Sequence, residues 1–143
     1  MRSLLLAVVV SFSFAACATP QLLRPGTLRP GVASVPADQR VATWHRAIQV
    51  LLDEGYIPQV LNEAAGYVSA KQRDDISVGA LSGTIAIVTV NPEGLVRVEV
   101  GGAGVYHSAD ELMRDVSAEQ AKLLAEISAP PPATAPPRVM GQK

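Results

Sequence analysis

An apolar run, a tight turn and a strictly alternating segment follow one another and restrict the folds open to this chain. Residues 83–90 read GTIAIVTV, residues 91–94 read NPEG, and residues 95–100 read LVRVEV. Proline and glycine in the second segment suit the backbone angles of a turn. The third segment alternates apolar and charged side chains, which is the period of a strand with one buried face. The sequence therefore predicts a β-hairpin in the middle of a sheet.

Helical spacing of apolar residues predicts one helix before the strands and one after them. The first helix spans about residues 38–54 and ends at Gly55, which suits a left-handed cap. The second helix starts at Ser108, because Glu111 completes a capping box with it. The expected apolar stripes are Val41, Trp44, Ile48, Leu51 and Leu52 in the first helix and Leu112, Val116, Leu123, Leu124 and Ile127 in the second.

Two further strands are predicted between the first helix and the hairpin. They are YIPQVLN at residues 56–62, where Pro58 indicates a sheet edge or bulge, and YVSAKQ at residues 67–72. The order of elements is then helix, four strands, helix. It predicts an α+β fold, in which a four-stranded antiparallel meander carries both helices on one face as a two-layer sandwich.

The first 16 residues have the pattern of a signal peptide. Arg2 supplies a positive charge, residues 4–14 are apolar, and small residues follow. The apolar run is too short to cross a bilayer, which takes roughly 20 residues in a helix. We therefore expect residues 1–16 to be removed on export.

The end of this segment resembles the lipobox of bacterial lipoproteins. The residues are Phe14-Ala15-Ala16-Cys17, with Phe14 where leucine is usual in that family. The resemblance implies cleavage before Cys17, a diacylglycerol on its sulfur, and stable attachment to a membrane. Ala18, in place of an aspartate, implies an outer-membrane location facing the periplasm. The alternative is ordinary cleavage after Ala18, because Ala16-Cys17-Ala18 also fits the small-residue rule, which would release a soluble protein starting at Thr19.

Proline-rich segments flank the predicted domain, which covers residues 37–128. Residues 17–36 comprise Cys17 and a Pro/Gly-rich tether that spans up to roughly 60 Å when extended. Residues 129–143 are predicted to be a disordered, proline-rich tail. Removal of residues 1–16 lowers Lys+Arg from 12 to 11 against 13 Asp+Glu, a net charge of −2. This balance, without a basic stripe, argues against a nucleic-acid partner.

The residues that suggest chemistry have simpler structural interpretations. His107, Asp110 and Glu111 are metal-ligand types at helical spacing, but carboxylates in a first helical turn are explained by the helix dipole. GGAG at residues 101–104 resembles an anion-binding loop, yet a flexible strand-to-helix connection explains it better. Asp74 and Asp75 fit a solvated turn. The sequence thus predicts a protein that is not an enzyme and has no cofactor, metal or catalytic residue.

The stretch GYIPQVLNEAAGYVSA and the order of elements resemble small two-layer domains of outer-membrane lipoproteins. Examples are the repeated-domain lipoprotein of the barrel-assembly machinery and the lipoprotein of the lipopolysaccharide translocon. The resemblance covers residues 38–128 as a pattern and implies no particular functional residues.

The leading hypothesis is a non-enzymatic envelope lipoprotein that binds a protein partner or another envelope component. Its expected contact surface is the sheet face opposite the helices, with Tyr67, Ser69, Lys71, Arg97 and Glu99. The alternative is a carrier of a small ligand or lipid, with a cavity between the helices and the sheet.

Overall fold

A six-stranded antiparallel sheet and two α-helices make up the fold in the computed structural model, which describes residues 18–72 and 81–130. The strands are β1 (Thr19–Leu23), β2 (Gly31–Ser34), β3 (Tyr56–Asn62), β4 (Tyr67–Gln72), β5 (Ser82–Val90) and β6 (Leu95–Tyr106). A short 3₁₀ turn at Ala37–Gln39 leads into α1 (Arg40–Asp53), and α2 (Ala109–Ser128) follows the last strand.

The α+β class, the antiparallel sheet and the two helices agree with the sequence-based prediction, but the sheet has six strands rather than four. The predicted strands are β3, β4, β5 and β6, which are neighbours in that order. The additional strands, β1 and β2, both pair with β6, along different halves of its length. The four-stranded meander is therefore not a sufficient description of the sheet.

The additional strands lie within the segment that was expected to be a tether. The connection between them is fixed by Gln120 of α2, whose Nε2 donates to the Arg29 carbonyl at 2.8 Å. After β2, the Val35 amide donates to the Gly94 carbonyl at 2.9 Å. The prolines in this segment were interpreted as evidence against regular secondary structure. Proline is nevertheless compatible with an edge strand, because such a strand is hydrogen-bonded on one side only. The tether prediction is therefore wrong for residues 19–34, which belong to the folded domain.

The GGAG segment also differs from its prediction, because residues 101–104 are part of β6 rather than a connection. A Cβ on Gly101 would lie 2.4 Å from Pro25, and one on Gly102 would lie 2.9 Å from Leu81 Cδ2. Glycine is needed at position 101 because backbone atoms approach the strand closely there, whereas at position 102 the neighbour is a side-chain end that can shift. Their lack of side chains reflects packing and not flexibility.

The predicted end of α1 and start of α2 are confirmed, whereas α1 begins at Arg40 rather than at residue 38. The Ser108 hydroxyl accepts a hydrogen bond from the Glu111 amide at 3.3 Å, and the Glu111 carboxylate accepts from the His107 amide at 3.1 Å. Gly55 after α1 and Gly94 in the hairpin turn have φ angles of 80° and 83°, as their turns require. Pro58 lies on the edge strand β3, beside a shift in its register with β4.

The core lies between the helices and one face of the sheet. Its buried side chains from the strands include Val68, Ala70, Ala86, Val88, Val90, Val96, Val98 and Val100. From α1, the buried apolar residues are Trp44, Ala47, Val50 and Leu51, and from α2 they are Leu112, Val116, Leu123 and Ile127. Val41 and Leu52 were expected in the core, but they are 45% and 47% exposed because they lie at the margins of the stripe on α1.

Candidate functional site

Three rows of paired residues cross the sheet on the side that the helices leave uncovered, and the last row ends at Gly101, next to Pro25. Strand pairing aligns Tyr67 with Thr89 and Arg97, Ser69 with Ile87 and Glu99, and Lys71 with Ile85 and Gly101. Residues paired directly across strands share a face, so the register brings all the predicted contact residues onto one surface. We call the surface formed by these three rows the open face.

A shallow depression lies in the middle of the open face. It has a volume of about 250 Å³ and is lined by Tyr67, Ile87, Thr89, Arg97 and Glu99. The lining therefore combines one aromatic, two β-branched and two charged side chains. The mixture of an apolar floor with a few oriented polar groups is suited to receiving a side chain of another molecule.

An ion pair on β6 fixes the charged side of the depression. Arg97 donates through Nε and Nη2 to the same oxygen of Glu99, Oε1, at 2.7 and 2.6 Å. The arginine side chain is 52% exposed and the glutamate side chain 19% exposed. A pair exposed to this extent contributes little to stability. Its structural effect is to hold the guanidinium group over the sheet, where it remains accessible.

Apolar side chains extend the open face toward both sheet edges. On β3, Val60 pairs with Ser69 and Ile57 pairs with Lys71, and these two residues are 51% and 54% exposed. On β2, Val32 pairs with Arg97 and is 50% exposed. Single exposed apolar residues are common on protein surfaces. Exposed β-branched side chains on several neighbouring strands form an apolar patch, which is typical of an interaction surface.

Sequence reasoning missed the β5 residues of this surface. The run at residues 83–90 is apolar at both alternating positions, which is the pattern of a central strand covered on two sides. In the structure, Ala86 and Val88 are fully buried under the helices, whereas Ile85 is 36% exposed and Ile87 lines the depression. The sequence did contain a signal for these residues. Both predicted helices were assigned to one face of the sheet, so nothing was predicted to cover the apolar side chains on the other face of this strand.

Two tyrosines on the helix side of the sheet are bound to carboxylates of α2. Tyr56 donates to Glu119 at 3.0 Å, and Tyr106 donates to Asp115 at 2.9 Å. Burial, reinforced by these carboxylates, raises the pKa of both phenols well above the usual value. The hydroxyl groups are therefore neutral donors that position α2 on the sheet, and neither is activated as a base.

A second concavity lies away from the open face, beside α1. This open cleft of about 920 Å³ runs between α1, the segment that follows β2, and the C-terminal end of α2. Arg46 holds that end in place by donating to the carbonyls of Glu126 and Ala129 at 2.9 and 2.8 Å. Thr43, His45, Val50 and Pro130 are among its lining residues. The position differs from the cavity expected between helices and sheet, where the core side chains are packed.

The histidines have structural contacts in this arrangement. The His45 ring lies edge-on to Trp44 with the ring centroids 5.0 Å apart. The His107 amide and Glu111 take part in the cap of α2 rather than in a ligand cluster. Within residues 18–72 and 81–130, no group of three or more His, Cys, Asp or Glu side chains is arranged to hold a metal ion.

Several predicted features fall outside the described residues. They are the signal segment, Cys17, the Asp74-Asp75 pair and the proline-rich tail beyond Pro130. In the part of the chain that the structure does describe, neither helix has the length and apolar character needed to cross a membrane.

Comparison of the sequence with protein-family models and with curated proteins finds no match.

Proposed function

We propose that this protein is a lipid-anchored, non-enzymatic component of the bacterial cell envelope, at the periplasmic side of the outer membrane. The proposal for the anchor rests on the lipobox resemblance at Phe14-Ala15-Ala16-Cys17 and on Ala18. Two or three acyl chains, each methylene worth about 0.8 kcal/mol when buried, hold a protein stably on a bilayer.

The open face is the proposed contact surface, and the depression at its centre is the observation that carries this assignment. Tyrosine and arginine are enriched in protein interfaces, and here Tyr67 and Arg97 line the same depression around Ile87. We favour a protein partner over another envelope component because Ile87 and the exposed β-branched residues of the open face form an apolar area that also contains Tyr67 and Arg97. Aromatic and arginine side chains within such an area are typical of the residues that contribute most to protein binding.

The anchor is tested by replacing Cys17 with serine. We expect the wild-type protein to incorporate labelled fatty acid and to sediment with membranes. Cys17→Ser should lose the label and either become soluble or remain uncleaved, because the acceptor sulfur is gone. If both proteins are soluble and begin at Thr19, ordinary signal cleavage has occurred and the lipoprotein proposal is wrong.

The contact surface is tested separately, by affinity recovery from chemically crosslinked envelopes. Ile87→Asp places a charge in the depression, and Ala118→Asp places one on an exposed position of α2. We expect Ile87→Asp, and not Ala118→Asp, to lose a partner recovered with the wild type. Equal recovery with both variants would assign the interaction to another surface.

A second candidate function, transport of a small apolar ligand, is favoured by the cleft beside α1. Its volume of about 920 Å³ lies within the range of ligand sites, roughly 300–1,000 Å³. Ala42 lines this cleft, so Ala42→Trp should fill part of it. Saturable binding of a lipophilic fluorescent probe that Ala42→Trp abolishes would support the carrier function, and unchanged binding would contradict it.

A further inference from the structure

The folded domain begins close to the proposed lipid attachment point. Thr19, the first residue of β1, is separated from Cys17 by Ala18 alone. Two residues of extended chain reach about 7 Å. A lipid on Cys17 would therefore leave almost no free chain between the membrane surface and the sheet.

The start of β1 is fixed to the domain by strand pairing and by side-chain packing. Its pairing with β6 runs from Thr19 opposite Tyr106 to Leu23 opposite Gly102. Leu23 packs against the core. The next part of the chain is held by Gln120, which also accepts a hydrogen bond from the Val100 amide at 3.2 Å. Detaching β1 to lengthen the tether would break its pairing with β6 and the packing of Leu23 against the core.

Antiparallel pairing determines which other elements share this end of the domain. The end of β6, the start of β5 and the start of α2 lie beside the start of β1. The β5–β6 turn lies at the other end, because β5 runs away from Ser82 to Val90. Nine residues of strand separate the two ends by about 30 Å.

We infer that in the lipidated protein the end of the sheet containing Thr19 and Tyr106 lies against the lipid headgroups, and the β5–β6 turn faces away from them. This inference rests on the proposed lipidation of Cys17. It also restricts the partner, because the open face is then held within about 30 Å of the bilayer. The partner that fits is a protein located at the same membrane surface, and not one that requires a long reach into the periplasm.

Site-specific quenching in vesicles tests this orientation with the intact lipidated protein. A lipid-modified Cys17 leaves an introduced cysteine as the free thiol for a fluorescent label, since the chain has one native cysteine. Ala109→Cys labels an exposed residue at the proposed membrane end, and Glu93→Cys labels an exposed residue in the β5–β6 turn. The vesicles contain phosphatidylcholine with a nitroxide on the headgroup, which quenches nearby fluorophores. We expect several-fold stronger quenching at Ala109→Cys than at Glu93→Cys.

A flexible insertion provides the matched control. About 20 Gly and Ser residues between Ala18 and Thr19 add a reach of roughly 25 Å and should remove the difference between the two labels. Mass spectrometry of the same samples reports the lipid on Cys17. If the lipid is present and both labels are quenched equally without the insertion, the orientation is wrong while the lipoprotein proposal stands. If the lipid is absent, both are overturned.

Discussion

The two faces of the sheet are built from similar residues but meet different surroundings. On β5, Ala86 and Val88 point toward the helices and are fully buried. Ile85 and Ile87 alternate with them, point away from the helices and contribute to the open face. Apolar residues along one strand can therefore have two different causes. On one face they bury a core, and on the other we propose that they form the contact surface.

A charge placed on each face in turn gives the largest expected difference. Val88→Asp buries a carboxylate among apolar side chains and should destabilise the domain by more than about 4 kcal/mol, which prevents folding. Ile87→Asp, on the preceding residue, should cost about 1 kcal/mol or less. The circular dichroism spectrum shows whether Val88→Asp folds, and urea unfolding followed by circular dichroism measures the stability of Ile87→Asp and of any folded Val88→Asp. Comparable losses would show that Ile87 belongs to a second core and that the open face is covered.

The border of the open face near β1 predicts an intermediate effect. Gly101→Ala would bring a Cβ to 2.4 Å from the Pro25 backbone nitrogen and 2.6 Å from the Leu23 carbonyl oxygen. We expect a loss of about 1–3 kcal/mol, because backbone must move to relieve the overlap. Amide hydrogen exchange should rise mainly at residues 19–34. Gly102→Ala is the control, since its nearest neighbour is the side-chain end of Leu81. Faster exchange throughout the sheet would contradict a local role.

The tyrosines on the covered face predict a smaller effect that depends on pH. Tyr56→Phe and Tyr106→Phe should each cost about 1 kcal/mol at neutral pH, through the lost hydrogen bond to α2. Because burial raises the pKa of both phenols, the folded state keeps protons that the unfolded state releases above about pH 10. The contribution of the two tyrosines to the free energy of unfolding is therefore fully present below about pH 10 and decreases as the pH rises further.

The double phenylalanine variant isolates this effect of the tyrosines. Its unfolding free energy should fall less between pH 9 and pH 11 than that of the wild type. Identical slopes in this range would mean that the two phenols ionise as easily in the folded protein as in the unfolded chain.

The smallest effect on stability is expected from the ion pair on the open face. Arg97→Ala removes an exposed interaction with Glu99 and should change the unfolding free energy by about 0.5 kcal/mol or less. A loss above about 2 kcal/mol would show that Arg97 is a structural residue. Thermal unfolding at low and high salt separates its electrostatic contribution from packing.

The sequence was informative where local rules decide the structure. The turn at residues 91–94, the cap at Ser108 and the limits of β3 and β4 follow from proline, glycine and capping preferences and from side-chain alternation. The strands β1 and β2 were missed because the prolines in and next to them, Pro20 and Pro30, suit both a linker and a sheet edge. Their pairing with β6 joins residues distant in sequence, which no local pattern reports.

The candidate site was predicted only in part, because local patterns identify some of its residues and long-range strand pairing determines the others. Alternation along β4 and β6 identified Tyr67, Ser69, Lys71, Arg97 and Glu99, which the register places on one surface. The depression depends on Ile87 and Thr89 of β5 as well. An apolar strand gives no indication of which alternate residues lie under the helices until the neighbouring strands set its register.

Photocrosslinking from the depression tests most directly whether the open face binds a partner. A photoreactive amino acid replaces Ile87 in the membrane-bound protein, and a matched control protein carries it at Ala118 on α2 instead. We expect a discrete adduct from position 87 that disappears when Arg97→Glu is added, and no such adduct from position 118. An adduct formed equally at both positions, or one that survives Arg97→Glu unchanged, would contradict this expectation.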